Sequence, residues 1–304
     1  MVSALGKLAR CVARAAGAGA LITRQANAAW ELDMPVGKSI LAAEIMDLHH
    51  LILIICTIIC IGVFGFAFYT IFTCRRSKGA KAASFTHSTL AETIWTTIPT
   101  LLLIFMAVPS ARSIIAIEDT SSPDLSIKIT GYQWKWSYDY LDEDKFFYSS
   151  LDQASAAASQ KDSGIDPFTV KNYLRNVDNA VVVPVNKRVR LLLTSNDVIH
   201  SWWIPELYVK KDANPGFINE AWFEATETGI FRGQCTELCG RGHGFMPIVV
   251  VVETQERYEQ WLAGNLAWNA EAQQLVAASD PADSTPTAGT VAALQVGPGK
   301  SFNE

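Results

Sequence analysis

Soft metal donors are nearly missing from the second half of this 304-residue chain. Of five histidines, His49, His50 and His87 lie in the first third, which leaves His200 and His243. Of six cysteines only Cys235 and Cys239 follow Cys74, and Met246 is the only methionine after Met106. Every soft donor of the second half therefore falls into two short segments. Charge is missing elsewhere: residues 51–73 hold none in 23 positions and residues 93–111 none in 19. A helix of that length crosses the roughly 30 Å of a hydrocarbon core, so both runs predict membrane spans in contact with lipid. A basic excess is also absent. From Glu118 onward 25 acidic residues stand against 15 basic ones, a net charge of −10, which excludes nucleic acid as a partner. No internal repeat is present.

Between the two apolar runs lie Arg75, Arg76, Lys78 and Lys81, with no acidic residue until Glu92. Lysine and arginine are retained on the cytoplasmic side, so this loop is cytoplasmic and the segments flanking the hairpin face outward. The amino terminus carries Lys7, Arg10 and Arg14, a small apolar run over 15–22, and Ala26-Asn27-Ala28. These features predict a signal peptide over 1–28 and a bacterial inner membrane with a periplasmic domain. An amphipathic mitochondrial transit peptide, and hence the mitochondrial inner membrane, is the alternative. The hairpin then occupies 29–117.

After the second span the pattern changes to short alternating or β-branched runs over 125–136, 180–184, 189–193, 221–225 and 248–253, separated by turn-rich strings such as Asn214-Pro215-Gly216. They predict an antiparallel sandwich or Greek-key barrel over 118–254. Residues 149–167 are small and polar and read as an inserted surface loop. Apolar positions over 255–278 follow a 3.6 period, which predicts a carboxy-terminal amphipathic helix. The Pro-, Thr-, Ser- and Gly-rich tail 279–304 is predicted to be disordered.

The segment Gly233-Gln-Cys235-Thr-Glu237-Leu-Cys239-Gly-Arg-Gly-His243-Gly-Phe-Met246-Pro247 places two thiols, an imidazole and a thioether in one Gly-rich loop. Such a soft set suits copper rather than magnesium or calcium. A mononuclear blue-copper site uses one thiolate, so the second cysteine would be left over, and a buried unpaired thiolate is costly. Two copper ions bridged by both thiolates use every ligand. Each ion then has two sulfurs, one histidine and one weak axial donor: Met246 on one side and a carbonyl, with the Glu237 backbone as candidate, on the other. A closed redox site of this kind transfers electrons. A Cys235–Cys239 disulfide and a Cys2His2 zinc site are the alternatives.

The strings DVIHSWWIPELYVKKDANPG (197–216) and GQCTELCGRGHGFMPIVV (233–250), with ETIWTTIP (92–99) and YQWKWSYDY (132–140), resemble subunit II of the haem-copper cytochrome c oxidases over about residues 30–262. The resemblance implies an α+β membrane protein, a transmembrane helical hairpin followed by an all-β cupredoxin-like Greek-key domain. It implies a subunit, not catalytic alone, that takes electrons from cytochrome c at a binuclear copper centre and relays them to haem in subunit I. Oxygen is reduced there as protons are pumped. By the same resemblance His200, Cys235, Glu237, Cys239, His243 and Met246 are the copper ligands. The Glu237 side chain reaches a magnesium ion at the interface with subunit I, Trp134 receives the electron, and Glu92 opens a proton path. Asp139, Asp142, Glu143, Asp144, Asp197 and Asp212 are expected to form an acidic docking face around Trp134. Other oxidase subunits complete the assembly.

Two neighbours compete with this reading. Quinol oxidase subunits II share the fold but lack the copper ligands, and copper-dependent reductase domains do not come with two amino-terminal spans. In the string around Trp134, Tyr132 and Lys135 replace the family's usual histidine and tyrosine. Ordinary sheet packing is the default for Trp134 and Trp136, and the latter is expected to stay in the core.

Overall fold

The missing charge becomes two long helices. The computed structural model describes residues 33–81, 84 and 86–268; the leader over 1–28, residues 269–278 and the tail 279–304 lie outside the described residues. Helix α1 spans Ile40–Thr73 and helix α2 spans Thr89–Glu118. Both overrun the predicted spans because capping, not hydrophobicity, sets their starts. Ser39 accepts a hydrogen bond from the Ala42 N–H and Ser88 one from the Ala91 N–H, which satisfies otherwise orphaned donors at each first turn. At 34 residues, α1 is about 51 Å long and exceeds the apolar thickness of a bilayer. Large apolar side chains such as Ile58, Phe66 and Leu103 are exposed along both helices, as a lipid-facing surface requires. The hydroxyls of Thr57, Thr93, Thr96 and Thr100 each donate to the carbonyl four residues back, so no polar group on those turns faces lipid unsatisfied.

The outer end of α1 is sewn to the β-domain. Ser39 Oγ donates to the Leu207 carbonyl at 2.8 Å and Lys38 N–H to the Glu206 carbonyl at 2.7 Å. At the outer end of α2, Glu118 pairs with Lys211 at 2.8 Å, and the Trp222 indole N–H donates to the Ala116 carbonyl at 3.0 Å.

Among the described residues ten strands follow: β1 Leu125–Tyr132, β2 Lys135–Tyr140, β3 Lys145–Ser149, β4 Val181–Pro184, β5 Arg188–Ser195, β6 His200–Ile204, β7 Val209–Ala213, β8 Asn219–Glu224, β9 Gly229–Cys235 and β10 Pro247–Glu253. They form two five-stranded sheets, β3-β2-β1-β5-β8 and β4-β10-β9-β6-β7. In β1 and β5, residues alternate between buried and half-buried, so Ile127, Ile129, Leu191 and Leu193 point into the sandwich. Strand β10 is buried along its whole length, flanked by β4 and β9. The sandwich is not wholly antiparallel as the sequence predicts. The pairs β1–β5 and β4–β10 are parallel, because the connections into them cross between the sheets.

Three further expectations change. The run 125–136 is not one strand, since β1 and β2 form a hairpin whose turn is Gln133-Trp134. Nor is 149–167 only a surface loop. Asp152 caps the short helix α3, Gln153–Ala158, and buried Ser155 accepts a hydrogen bond from the Leu174 N–H. The last helix among the described residues, α4, covers Gln255–Leu262 and gives way to a turn at Ala263-Gly264, so 263–268 are not helical as predicted. Its Trp261 packs on Tyr140 and Phe147.

Candidate metal centre

Strands β6 and β9 are antiparallel neighbours, with Trp202 opposite Cys235. That register sets His200, the first residue of β6, beside Cys235, the last of β9. The Gly-rich loop then returns Cys239, His243 and Met246 to the same place before β10 begins. Cys235 Sγ lies 3.9 Å from His200 Nδ1, 3.9 Å from Cys239 Sγ and 3.3 Å from the Glu237 carbonyl oxygen. Cys239 Sγ lies 3.6 Å from His243 Nδ1 and 3.6 Å from Met246 Sδ. His200, both cysteines and Met246 are buried. All six residues expected at the centre meet there, Glu237 through its backbone carbonyl.

The donor chemistry favours copper among the alternatives. Both cysteines are free, and 3.9 Å is far from the roughly 2.05 Å of a disulfide bond. Two thiols, two imidazoles, a thioether and a carbonyl converging on one buried spot exceed what a tetrahedral zinc site uses. They fit two copper ions sharing the sulfurs. Burial opposes ionisation of Cys235, but hydrogen bonds from His200 and from the Ser201 backbone outweigh it and hold its thiol down to about 7. Burial, then the charge of Cys235 beside it, pushes the Cys239 thiol up to about 12. Metal binding requires both cysteines as thiolates, so a bound cation would favour their ionisation.

Asp197 was expected on a docking surface, and the structure gives its carboxylate other contacts. Its Oδ1 accepts from His200 Nε2 at 2.8 Å and from the Val198 N–H at 2.7 Å, and its Oδ2 accepts from the Gln133 N–H at 2.7 Å. Burial raises its pKa, but these donors outweigh that and hold it below the usual carboxylate range. With Nε2 fixed by Asp197, Nδ1 of His200 is left facing the sulfurs. Asp197→Ala is expected to weaken copper retention about 10- to 100-fold while the protein stays folded, as read by competition with a chelator. Unchanged retention would remove this orienting role.

Trp134 sits in the β1–β2 turn against the metal-binding loop. Its indole N–H and the Gln133 side-chain amide both donate to the carbonyl of Cys239, at 3.1 and 2.9 Å. A Cβ on Gly242 would come within 2.3 Å of the indole, so only glycine lets the loop lie flat on the ring. Trp136 is core, as expected. It also borders the centre, with its ring edge-on to His200 and its N–H donating to the Met246 carbonyl at 3.3 Å.

The acidic run is not gathered around Trp134. Strand β2 starts at Lys135, beside the tryptophan, and carries the chain about 17 Å away before Asp142, Glu143 and Asp144 are reached. Those residues lie by α4: the Tyr258 hydroxyl is pushed up by burial and then by the charges of Glu143 and Asp142. Asp139 pairs with Lys128 across the sheet, most of the way along the strand. Asp212 is exposed on β7 opposite Ser201. Glu92 lies far from the centre along the chain, at the start of α2, where its carboxylate accepts from the Ser88 N–H at 3.3 Å. Sequence reasoning missed Asp197 as an orienting group, although its D-x-x-H spacing to His200 was in view. Gln133 carried no such signal.

Two family models match the chain: "Cytochrome C oxidase subunit II, transmembrane domain" over residues 27–112, and "Cytochrome C oxidase subunit II, periplasmic domain" over residues 125–253. The chain is 39% identical over 235 residues to a "Probable cytochrome c oxidase subunit 2" of Rickettsia prowazekii, covering 77% of this chain and 72% of that one. It is 36% identical over 231 residues to a "Cytochrome c oxidase subunit 2" of Cereibacter sphaeroides, covering 73% and 76%. Among solved structures, the periplasmic domain of subunit II of cytochrome oxidase (CoxB) of Bradyrhizobium japonicum is 40% identical. It covers 51% of this chain and 98% of that chain, with a TM-score of 0.42.

Proposed function

The chain belongs to the cytochrome c oxidase subunit II family, a membrane protein with an external domain, and from that premise we propose that it relays single electrons from cytochrome c to the haem-copper subunit I. The observation that carries the reading is the convergence of Cys235, Cys239, His200, His243, Met246 and the Glu237 carbonyl within 3.3–3.9 Å contacts. Two copper ions held by these residues would supply a one-electron redox couple.

The protein's own groups do the rest. Burial excludes water from the sulfurs, and Asp197 fixes the His200 ring. Trp134 touches the donor side and is joined to Cys239 by one hydrogen bond, so the electron passes from the indole into the ligand backbone over a short path. The loop from Cys235 to Met246 then faces subunit I. Rapid mixing of reduced cytochrome c with the copper-loaded protein is expected to bleach its thiolate absorption by one electron per chain. No electron uptake at any donor concentration would overturn the relay.

The exposed Glu237 carboxylate is this chain's proposed contribution to a magnesium ion shared with subunit I, since carboxylates suit that hard ion. Glu92, at the cytoplasmic start of α2, is proposed as the mouth of a proton path. Glu92→Gln is expected to slow oxidase turnover several-fold and leave the copper spectrum intact, whereas an unchanged turnover leaves Glu92 only its capping role. The membrane is proposed to be a bacterial inner membrane, the alternative being a mitochondrial one, with lipid against α1 and α2 and a signal peptide over 1–28.

A further inference from the structure

Arg75, Arg76, Lys78 and Lys81 fall within seven positions of the connection between α1 and α2, and no acidic residue lies between Asp47 and Glu92. Helix α1 stops just before them, where the Cys74 N–H donates to the Thr70 carbonyl. Arg76–Lys78 then form a single 3-10 turn, closed by Gly79 at φ 76°, a left-handed conformation that glycine adopts at little cost. All four cationic side chains are exposed, and among the described residues none has an ion-pair partner.

The fold fixes their depth. The uncharged stretch of α1 ends at Thr73 and that of α2 begins at Thr93, so the connection is tethered at both ends to helices that cross the bilayer. Cations on the loop of a soluble domain are merely solvated. These are held at the level of the headgroup phosphates, and their long side chains can keep the charge there. Each Lys or Arg at an anionic membrane surface strengthens the attraction roughly fivefold. The outer end of the hairpin differs. Lys38 pairs with Glu227, and Lys211 and Arg188 pair with Glu118 and Asp119. Arg112, inside α2, adds only one cation on that side.

We infer that this connection is a binding site for anionic phospholipid headgroups of the cytoplasmic leaflet, held by Arg75, Arg76, Lys78 and Lys81. The bound headgroups fix how deep the hairpin sits. The site rests on the hairpin crossing the membrane with its connection in the cytoplasm, and is independent of the copper centre and the electron path.

The test is native mass spectrometry of the full chain, and separately of the assembled oxidase, released from bilayers of equal phosphatidylglycerol and phosphatidylethanolamine. Both forms are expected to retain phosphatidylglycerol over phosphatidylethanolamine by at least about tenfold. Arg76→Gln and Lys78→Gln are each expected to lower that ratio roughly two- to fivefold, whereas Arg76→Lys, which keeps the charge, leaves it. Arg112→Gln, on the outer side, is expected to leave it too. Added salt should lower the ratio of the wild type, a protein already inserted whose topology cannot change. Equal retention of the two lipids, or a ratio that ignores both salt and the Gln variants, would overturn the inference. So would an effect of Arg112→Gln as large as that of Arg76→Gln. Enrichment that vanishes in the assembled oxidase would overturn it as well, since subunit I and not lipid would then cover the cations.

Discussion

Cys235→Ser is expected to strip the protein of copper and to lower electron uptake from cytochrome c more than about 100-fold, beyond the 10- to 100-fold cost typical of losing an outer-shell partner. Serine is isosteric enough to leave β9 in place, but its hydroxyl is a hard donor that stays protonated near neutral pH, so it cannot replace a bridging thiolate. Cys235 sits against three of the other five donors. Its sulfur contacts His200 Nδ1, Cys239 Sγ and the Glu237 carbonyl, and Cys239 in turn contacts His243 and Met246. Removing one sulfur would therefore take away a donor proposed to bridge both metal positions. Metal content per chain and visible absorption check the outcome. A variant that retains two copper ions and normal colour would mean the sulfur is not a ligand.

Gly233→Ala is expected to be nearly as damaging, through the fold rather than the chemistry. A Cβ at this position would lie 1.7 Å from the Trp203 carbonyl oxygen, a backbone atom on the neighbouring strand. Trp203 pairs with Gln234 and Trp202 with Cys235, so β6 and β9 must separate where they hold His200 and Cys235 in register. Overpacking of this kind costs about 1–3 kcal/mol or more. For a domain of this size that corresponds to a fall in Tm of roughly 2–12 °C. Copper retention should fall with it, since the strand spacing sets the distance between imidazole and thiol. Thermal unfolding checks this directly, and an unchanged Tm would show that the strands give way without cost.

The parts of this structure legible in the sequence are those set by rarity. Two charge-free runs had to be helices, and in a domain with two histidines, two cysteines and one methionine the donors had little choice but to meet. Helix starts were not legible, because single hydrogen bonds at Ser39 and Ser88 fix them outside the apolar runs. The acidic run Asp142–Asp144 lies away from Trp134 for a geometric reason. Asp142 is only eight positions from Trp134, but an extended strand between them sends the two to different ends of the sheet. Conversely, Gln133 and Asp197 are 64 positions apart and in hydrogen-bond contact. Nearness in sequence misleads wherever a strand intervenes, and only the pairing of β1 with β5 brings the Trp134 turn to the metal ligands.

The most direct test of the central claim is copper stoichiometry on the full chain, read together with its paramagnetic resonance spectrum. Expected are two copper ions per chain and, in the oxidised protein, one unpaired electron shared over two equivalent copper nuclei. One copper per chain with the hyperfine pattern of a single nucleus, or a colourless protein that prefers zinc, would contradict it.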